Sequence, residues 1–239
     1  MRKVAIFVEG QTEQIFVKKL LYALYGYDKV EIISEKIRGA KRFVQLKAST
    51  TGCPHYFLIV DIGGEPDDIG NSKLLSDMLD NYGNMKNKGF SKILGLRDLY
   101  PQKRQDEKRL LDTMEKVIAK QALPLKTCKI RVLLAIMEIE SWFLADPNLF
   151  ENIDTKLTAN YIQTYLQYDL LQNDPEIVYD HPANVLEKIY DLAGRHYRKR
   201  EKDIYQIAES LRYDYLCLDV KQQKKIASFF LFLEELENF

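Results

Sequence analysis

The sequence predicts an α/β fold: a mostly parallel central sheet flanked by helices, followed by a C-terminal helical subdomain. Three observations predict it. Through the first part of the chain, apolar strand-like runs alternate with segments of helical periodicity. After Asp146-Pro147 that alternation stops and only helical spacing continues. Four of the apolar runs also end in an acid, as strands delivering side chains to one sheet edge would.

In chain order, residues 3–8 form the first strand, apolar from Val4 to Val8, and run into Glu9 and Gly10. Thr12 is placed to cap a helix through about Tyr25, with Ile15, Phe16, Leu20, Leu21 and Leu24 on its apolar face. Residues 30–34 form a second strand, and the basic stretch EKIRGAKRF after it reads as a loop. Residues 56–60 form a third strand, ending at Asp61, and a helix covers 72–86. Residues 93–96 form a fourth strand, ending at Arg97-Asp98, and a helix spans 106–121. A fifth strand covers 130–139 and carries Glu138 and Glu140 at its end. In extended backbone those two glutamates leave the same face. From about Thr155 the chain is helical, with Asn173-Asp174-Pro175 and Asp180-His181-Pro182 as turns. The boundary divides an α/β domain, 1–147, from a helical subdomain, 148–239.

The totals exclude several classes. At 239 residues the chain buries a full core, and no apolar run reaches the roughly 18–20 residues of a membrane span. The N-terminus lacks the pattern of a signal peptide, so the reading is cytoplasmic. Three scattered cysteines and three scattered histidines form no disulfide framework or zinc motif. Lysine plus arginine balances aspartate plus glutamate at 35 each, so nucleic acid would be held by local patches or through a partner. "DIGGEP" lacks the Lys-Ser/Thr of a phosphate-binding P-loop.

The chemistry lies in the acids. Parallel strands would bring Glu9, Asp61, Asp98, Glu138 and Glu140 to one edge. Two carboxylates about 4–5 Å apart repel by roughly 3–4 kcal/mol at an effective dielectric near 20. Some then stay protonated, or a cation sits among them. Oxygen ligands without His or Cys favour Mg²⁺ or Mn²⁺. Glu13 is a further candidate ligand, although the helix macrodipole alone favours an acid in a first turn.

The segment FVEGQTEQIFVKKLL resembles the opening motif of Toprim domains, the glutamate-bearing strand-to-helix turn of primases, topoisomerases and OLD-family nucleases. Its VEGxTE form is especially like the OLD and RloB-type proteins of bacterial phage-defence loci. ILGLRDLYP, LLAIMEIESWFLADP, HPANVLEKIY and FFLFLEELE resemble segments of small bacterial Toprim-like proteins, so the likeness covers most of the chain. It implies a Toprim-like fold and a Mg²⁺- or Mn²⁺-dependent nuclease, a defence effector acting on DNA or RNA with a separate ATPase subunit. On that likeness Glu9 is the Toprim glutamate, and Asp61 or Asp98 takes the place of the DxD acids. The chain departs from DxD, because "DIG" and "RDLYP" each supply one aspartate, with Glu138 and Glu140 available as further ligands. The catalytic set is then Glu9, Asp98 and Glu138, and the metal set Glu9, Glu13, Asp61, Asp98, Glu138 and Glu140.

A polyanion would meet Arg38, Lys41 and Arg42 after the second strand, Arg97, Lys103 and Arg104 near the acids, and Arg198 and Lys199 in "GRHYRKREK", where Tyr197 is placed to stack a base. A charge run is also the ordinary solvated face of a helix, and Trp142 reads as a core anchor behind the acids. A homo-oligomer is open in each reading, and two other classes stay open: a non-catalytic binding subunit that keeps the fold, its acids serving metal-dependent assembly, and a phosphotransfer or nucleotide-processing enzyme using the same edge.

Overall fold

A computed structural model describes residues 2–38, 41–45, 53–63, 72–121, 123 and 126–238, with the side chains of 38 and 41–45 left aside. Six strands form one sheet in the order β3-β2-β4-β1-β5-β6. They are β1 (Arg2–Val8), β2 (Val30–Arg38), β3 (Lys41–Gln45), β4 (His55–Asp61), β5 (Lys92–Asp98) and β6 (Lys129–Ala135). All neighbours pair in parallel except β3, which runs antiparallel to β2 at one edge. The inner strands β1, β4 and β5 are apolar on both faces because helices cover both sides.

The helices explain the two faces. One face carries α1 (Gln11–Tyr25), and with it α4 (Glu140–Leu144), α5 (Leu149–Ile153), α6 (Ala159–Leu166), α7 (Pro175–Val178), α8 (Pro182–Asp191), α9 (Glu201–Ser210), α10 (Tyr213–Gln222) and α11 (Ala227–Glu237). The other carries α2 (Lys73–Asn87) and α3 (Glu107–Lys120). Alternate residues of β1 sort accordingly: Val4, Ile6 and Val8 pack toward α1, Ala5 and Phe7 toward α2 and α3. Gly95 of β5 permits the close approach of α2, since a Cβ there would lie 2.6 Å from Met78 Sδ. The core on the α1 face runs without a break from Val4 to Leu236, so the helices beyond residue 148 complete the α/β layer's own interior. None of the described helices is long and apolar enough to cross a membrane.

Three local expectations change. The first helix begins at Gln11 with Gly10 at its N-cap, so Thr12 lies inside the first turn and is buried. The basic stretch after the second strand is largely strand: Lys36 pairs with Phe43 and Arg38 with Lys41 across a β2–β3 hairpin. The fifth parallel strand stops at Ala135, opposite Asp98. Beyond it Met137 takes φ +62°, the chain turns, and Glu140 opens α4. Glu138 and Glu140 therefore do not share a strand face; a turn and a helix start place them.

The topology sets where a ligand would sit. From central β1 the chain moves to β2 and β4 on one side, then crosses to β5 and β6 on the other, with helices on opposite faces. In open α/β sheets the crevice outside the carboxyl ends of the strands at such a reversal is where ligands bind.

Candidate functional site

Glu9 and Asp98 stand at the carboxyl ends of adjacent strands β1 and β5. The backbone N–H of Asp98 donates to Glu9 Oε2 at 3.3 Å, tying the two strand ends together. Arg97 Nε lies 3.4 Å from Glu9 Oε1 and is wholly buried. Asp98 Oδ1 accepts the backbone N–H of Ile139 at 2.9 Å, which fixes the turn between β6 and α4 over the site. That turn presents Glu138, whose Oε2 accepts the backbone N–H of Ala183 in the first turn of α8 at 2.9 Å. One residue past Ile139, Glu140 is entirely buried.

Residues 195–200 cross the site without regular secondary structure and turn two side chains inward. Tyr197 is buried, and its hydroxyl donates to Glu140 Oε1 at 2.9 Å. Lys199 Nζ lies 2.9 Å from Glu140 Oε1 and 3.6 Å from Glu138 Oε1. Glu140 Oε2 is buried with no hydrogen-bond partner among the described residues. Glu13, on the first turn of α1, is also buried, with its Oε2 3.2 Å from where a Cβ on Gly10 would stand.

The electrostatics follow from this crowding. Burial, with Glu140 and Glu9 nearby, pushes Glu13 up to about 7 despite a hydrogen bond from its own backbone N–H and the attraction of Lys199. Burial, then Glu13, Glu140 and Glu9, raise Asp98 well above the usual carboxylate range. Burial alone would lower Lys199, but Glu140, Asp98 and Glu138 outweigh it and raise its pKa. Tyr197 is raised, first by burial and then by Glu140.

The structure thus gathers Glu9, Glu13, Asp98, Glu138 and Glu140. Asp61 stands one strand over, on the other side of β1 from Asp98. It is fully buried, and its Oδ1 accepts the backbone N–H of Gly63 at 2.9 Å. Among the described residues no three Asp, Glu, His or Cys side chains already stand as a metal-ligand cluster. Backbone amides, Arg97 and Lys199 occupy many of the carboxylate oxygens. The donor chemistry is that of a hard divalent cation, all carboxylate oxygen: Glu9 meets Arg97, Glu138 and Glu140 meet Lys199, and Glu140 keeps one buried oxygen without a partner among the described residues.

The basic residues divide. Arg97 is a buried counter-ion of Glu9, not a surface contact. Arg104 is turned onto the α7 segment, donating to the carbonyls of Glu176 at 2.6 Å and Tyr179 at 2.5 Å and pairing with Asp180. Tyr197 is buried against Glu140 and presents no base-stacking face, while Lys199 turns its ammonium onto Glu140 and Glu138 and leaves its stem partly exposed. Lys103 and Arg198 are exposed. Close by, Arg195, His196, Arg200 and Lys202 line a cleft of about 610 Å³. The side chains of Arg38, Lys41 and Arg42 lie outside the described residues. Trp142 is the buried anchor its sequence context predicts, with Nε1 donating to Glu176 Oε1 and to Ser228 Oγ, each at 3.0 Å.

Sequence reasoning missed the inward turn of Tyr197 and Lys199. No local signal marks them, because only Tyr197 of residues 195–200 is buried and the run shows no alternation of buried and exposed positions.

Comparison with family models finds a match over residues 8–223 to the model described as Domain of unknown function (DUF4276). Neither the curated proteins nor the solved structures yield a match.

Proposed function

Because the chain belongs to the DUF4276 family, whose description assigns no activity, we propose a function from the site itself: a Mg²⁺- or Mn²⁺-dependent Toprim-like nuclease that hydrolyses phosphodiester bonds in DNA or RNA. One observation carries the reading. Glu9, Glu13, Asp98, Glu138 and Glu140 are drawn from three parts of the chain to the switch-point edge of a parallel sheet, with a buried oxygen of Glu140 unpartnered among the described residues. The resemblance of VEGQTE to the Toprim opening motif supports the assignment of Glu9. Action in bacterial phage defence beside an ATPase subunit rests on that resemblance alone.

Glu9, Asp98, Glu138 and Glu140 would hold the cation, with Glu13 behind them. A bound divalent ion supplies Lewis-acid activation of water and stabilises negative charge on a phosphate. Arg97 holds Glu9 in place from the buried side. Tyr197 orients Glu140 through its hydroxyl. Glu13, raised to about 7 by burial and its neighbouring acids in the absence of metal, stands behind these ligands as a second carboxyl able to exchange a proton.

The test incubates the purified protein with plasmid DNA and with tRNA in Mg²⁺, in Mn²⁺ and in EDTA. The reading expects cleavage with metal, none in EDTA, and loss in Glu9→Gln, with circular dichroism showing that the variant is folded at the assay temperature. Equal cleavage by wild type and Glu9→Gln would overturn it.

A further inference from the structure

Resting on that metal-site reading, we propose that Lys199 is a tethered stand-in for the metal: its ammonium occupies the cation position, and a divalent ion enters only as Lys199 leaves. Its Nζ lies 2.9 Å from Glu140 Oε1 and 3.6 Å from Glu138 Oε1, in contact with two of the carboxylates a metal would need. An ammonium and a divalent ion compete for the same oxygens, because neither tolerates the other within bonding distance of one carboxylate pair.

Release requires only the Lys199 side chain to move. Lys199 sits at φ +50°, a left-handed conformation that L residues rarely adopt and that surrounding contacts must hold. Gly194, at φ +66°, gives residues 195–200 a joint at the end of α8. Between these points the chain forms no helix or strand and is anchored instead by the Tyr197 hydroxyl on Glu140 and by the Arg198 N–H donating to Asp203 Oδ2. The side chain of Lys199 remains 43% exposed although its head group reaches wholly buried Glu140, so its exit runs to solvent without crossing the core.

The alternative is an ammonium that stays and acts beside the metal on the substrate. The two roles give opposite metal affinities when the lysine is removed. Calorimetric titration with Mn²⁺ of wild type, Lys199→Met and Lys199→Arg separates them, with circular dichroism checking that each variant folds. Competition predicts that Lys199→Met binds Mn²⁺ roughly tenfold or more tightly than wild type. Lys199→Arg, which keeps the charge, should bind no more tightly than wild type. Acetylation of Lys199 in the wild type, followed by mass spectrometry, should rise when Mn²⁺ is added while other lysines hold constant. Unchanged or weaker Mn²⁺ binding in Lys199→Met, or labelling of Lys199 that fails to rise, overturns the proposal. Failure of every form to bind Mn²⁺ overturns the metal-site reading itself, and this proposal with it.

Discussion

Replacing Glu13 with glutamine should flatten the pH dependence of folding stability, by an amount the site's crowding sets. Burial and the neighbouring acids raise Glu13 from 4.5 to about 7. The native state therefore binds this proton more tightly than the unfolded chain does. Stability from this group is fully present below pH 4.5, falls as pH rises toward 7, and is flat above. Each pKa unit is about 1.4 kcal/mol, so the full loss is about 3 kcal/mol. The glutamine amide of the variant has no such proton to lose. Urea titrations in EDTA at pH 5 and pH 8 read the effect. Wild type should lose roughly 2–3 kcal/mol more than Glu13→Gln across that interval, the part of the loss not already incurred by pH 5. Relief of Asp98, which Glu13 helps to raise, acts in the same direction. Equal pH slopes for the two proteins, or a steeper one for the variant, would refute the reasoning.

Other sites give independent checks. Arg212→Met leaves wholly buried Asp146 without the guanidinium that donates to it at 3.0 Å, and urea unfolding should show a loss of about 3–5 kcal/mol. Gly95→Ala pushes a methyl into Met78 Sδ and should lower stability by about 1–3 kcal/mol in the same assay. Trp142→Phe removes the donor shared by Glu176 and Ser228 and leaves a gap against Phe229, costing about 2–3 kcal/mol, read as a fall in the urea midpoint.

The strands of the core were legible because burial on both faces forces near-continuous apolar runs, as in KVAIFV, YFLIV and KILGL. The β3 arm was not, since KRFVQ follows a charged stretch at a sheet edge and carries little apolar signal. The overlong fifth strand has a different cause. LLAIMEI stays apolar through the turn because that turn is itself buried, and Met137 adopts positive φ without the glycine that usually marks it. At the site, strand-end acids announced Glu9 and Asp98. Asp61 looked equivalent in sequence, but it stands across β1 from Asp98 and accepts from its own loop at Gly63. Lys199 and Tyr197 were hidden because contacts across 57 to 61 residues leave no local periodicity to read.

Crystals grown with Mn²⁺ and measured at its absorption edge test the central claim most directly. The account predicts one anomalous peak bonded to oxygens of Asp98 and of Glu138 or Glu140, with Lys199 Nζ withdrawn. An anomalous map with no peak among these carboxylates, at Mn²⁺ concentrations that saturate an ordinary Mg²⁺ enzyme, would contradict it.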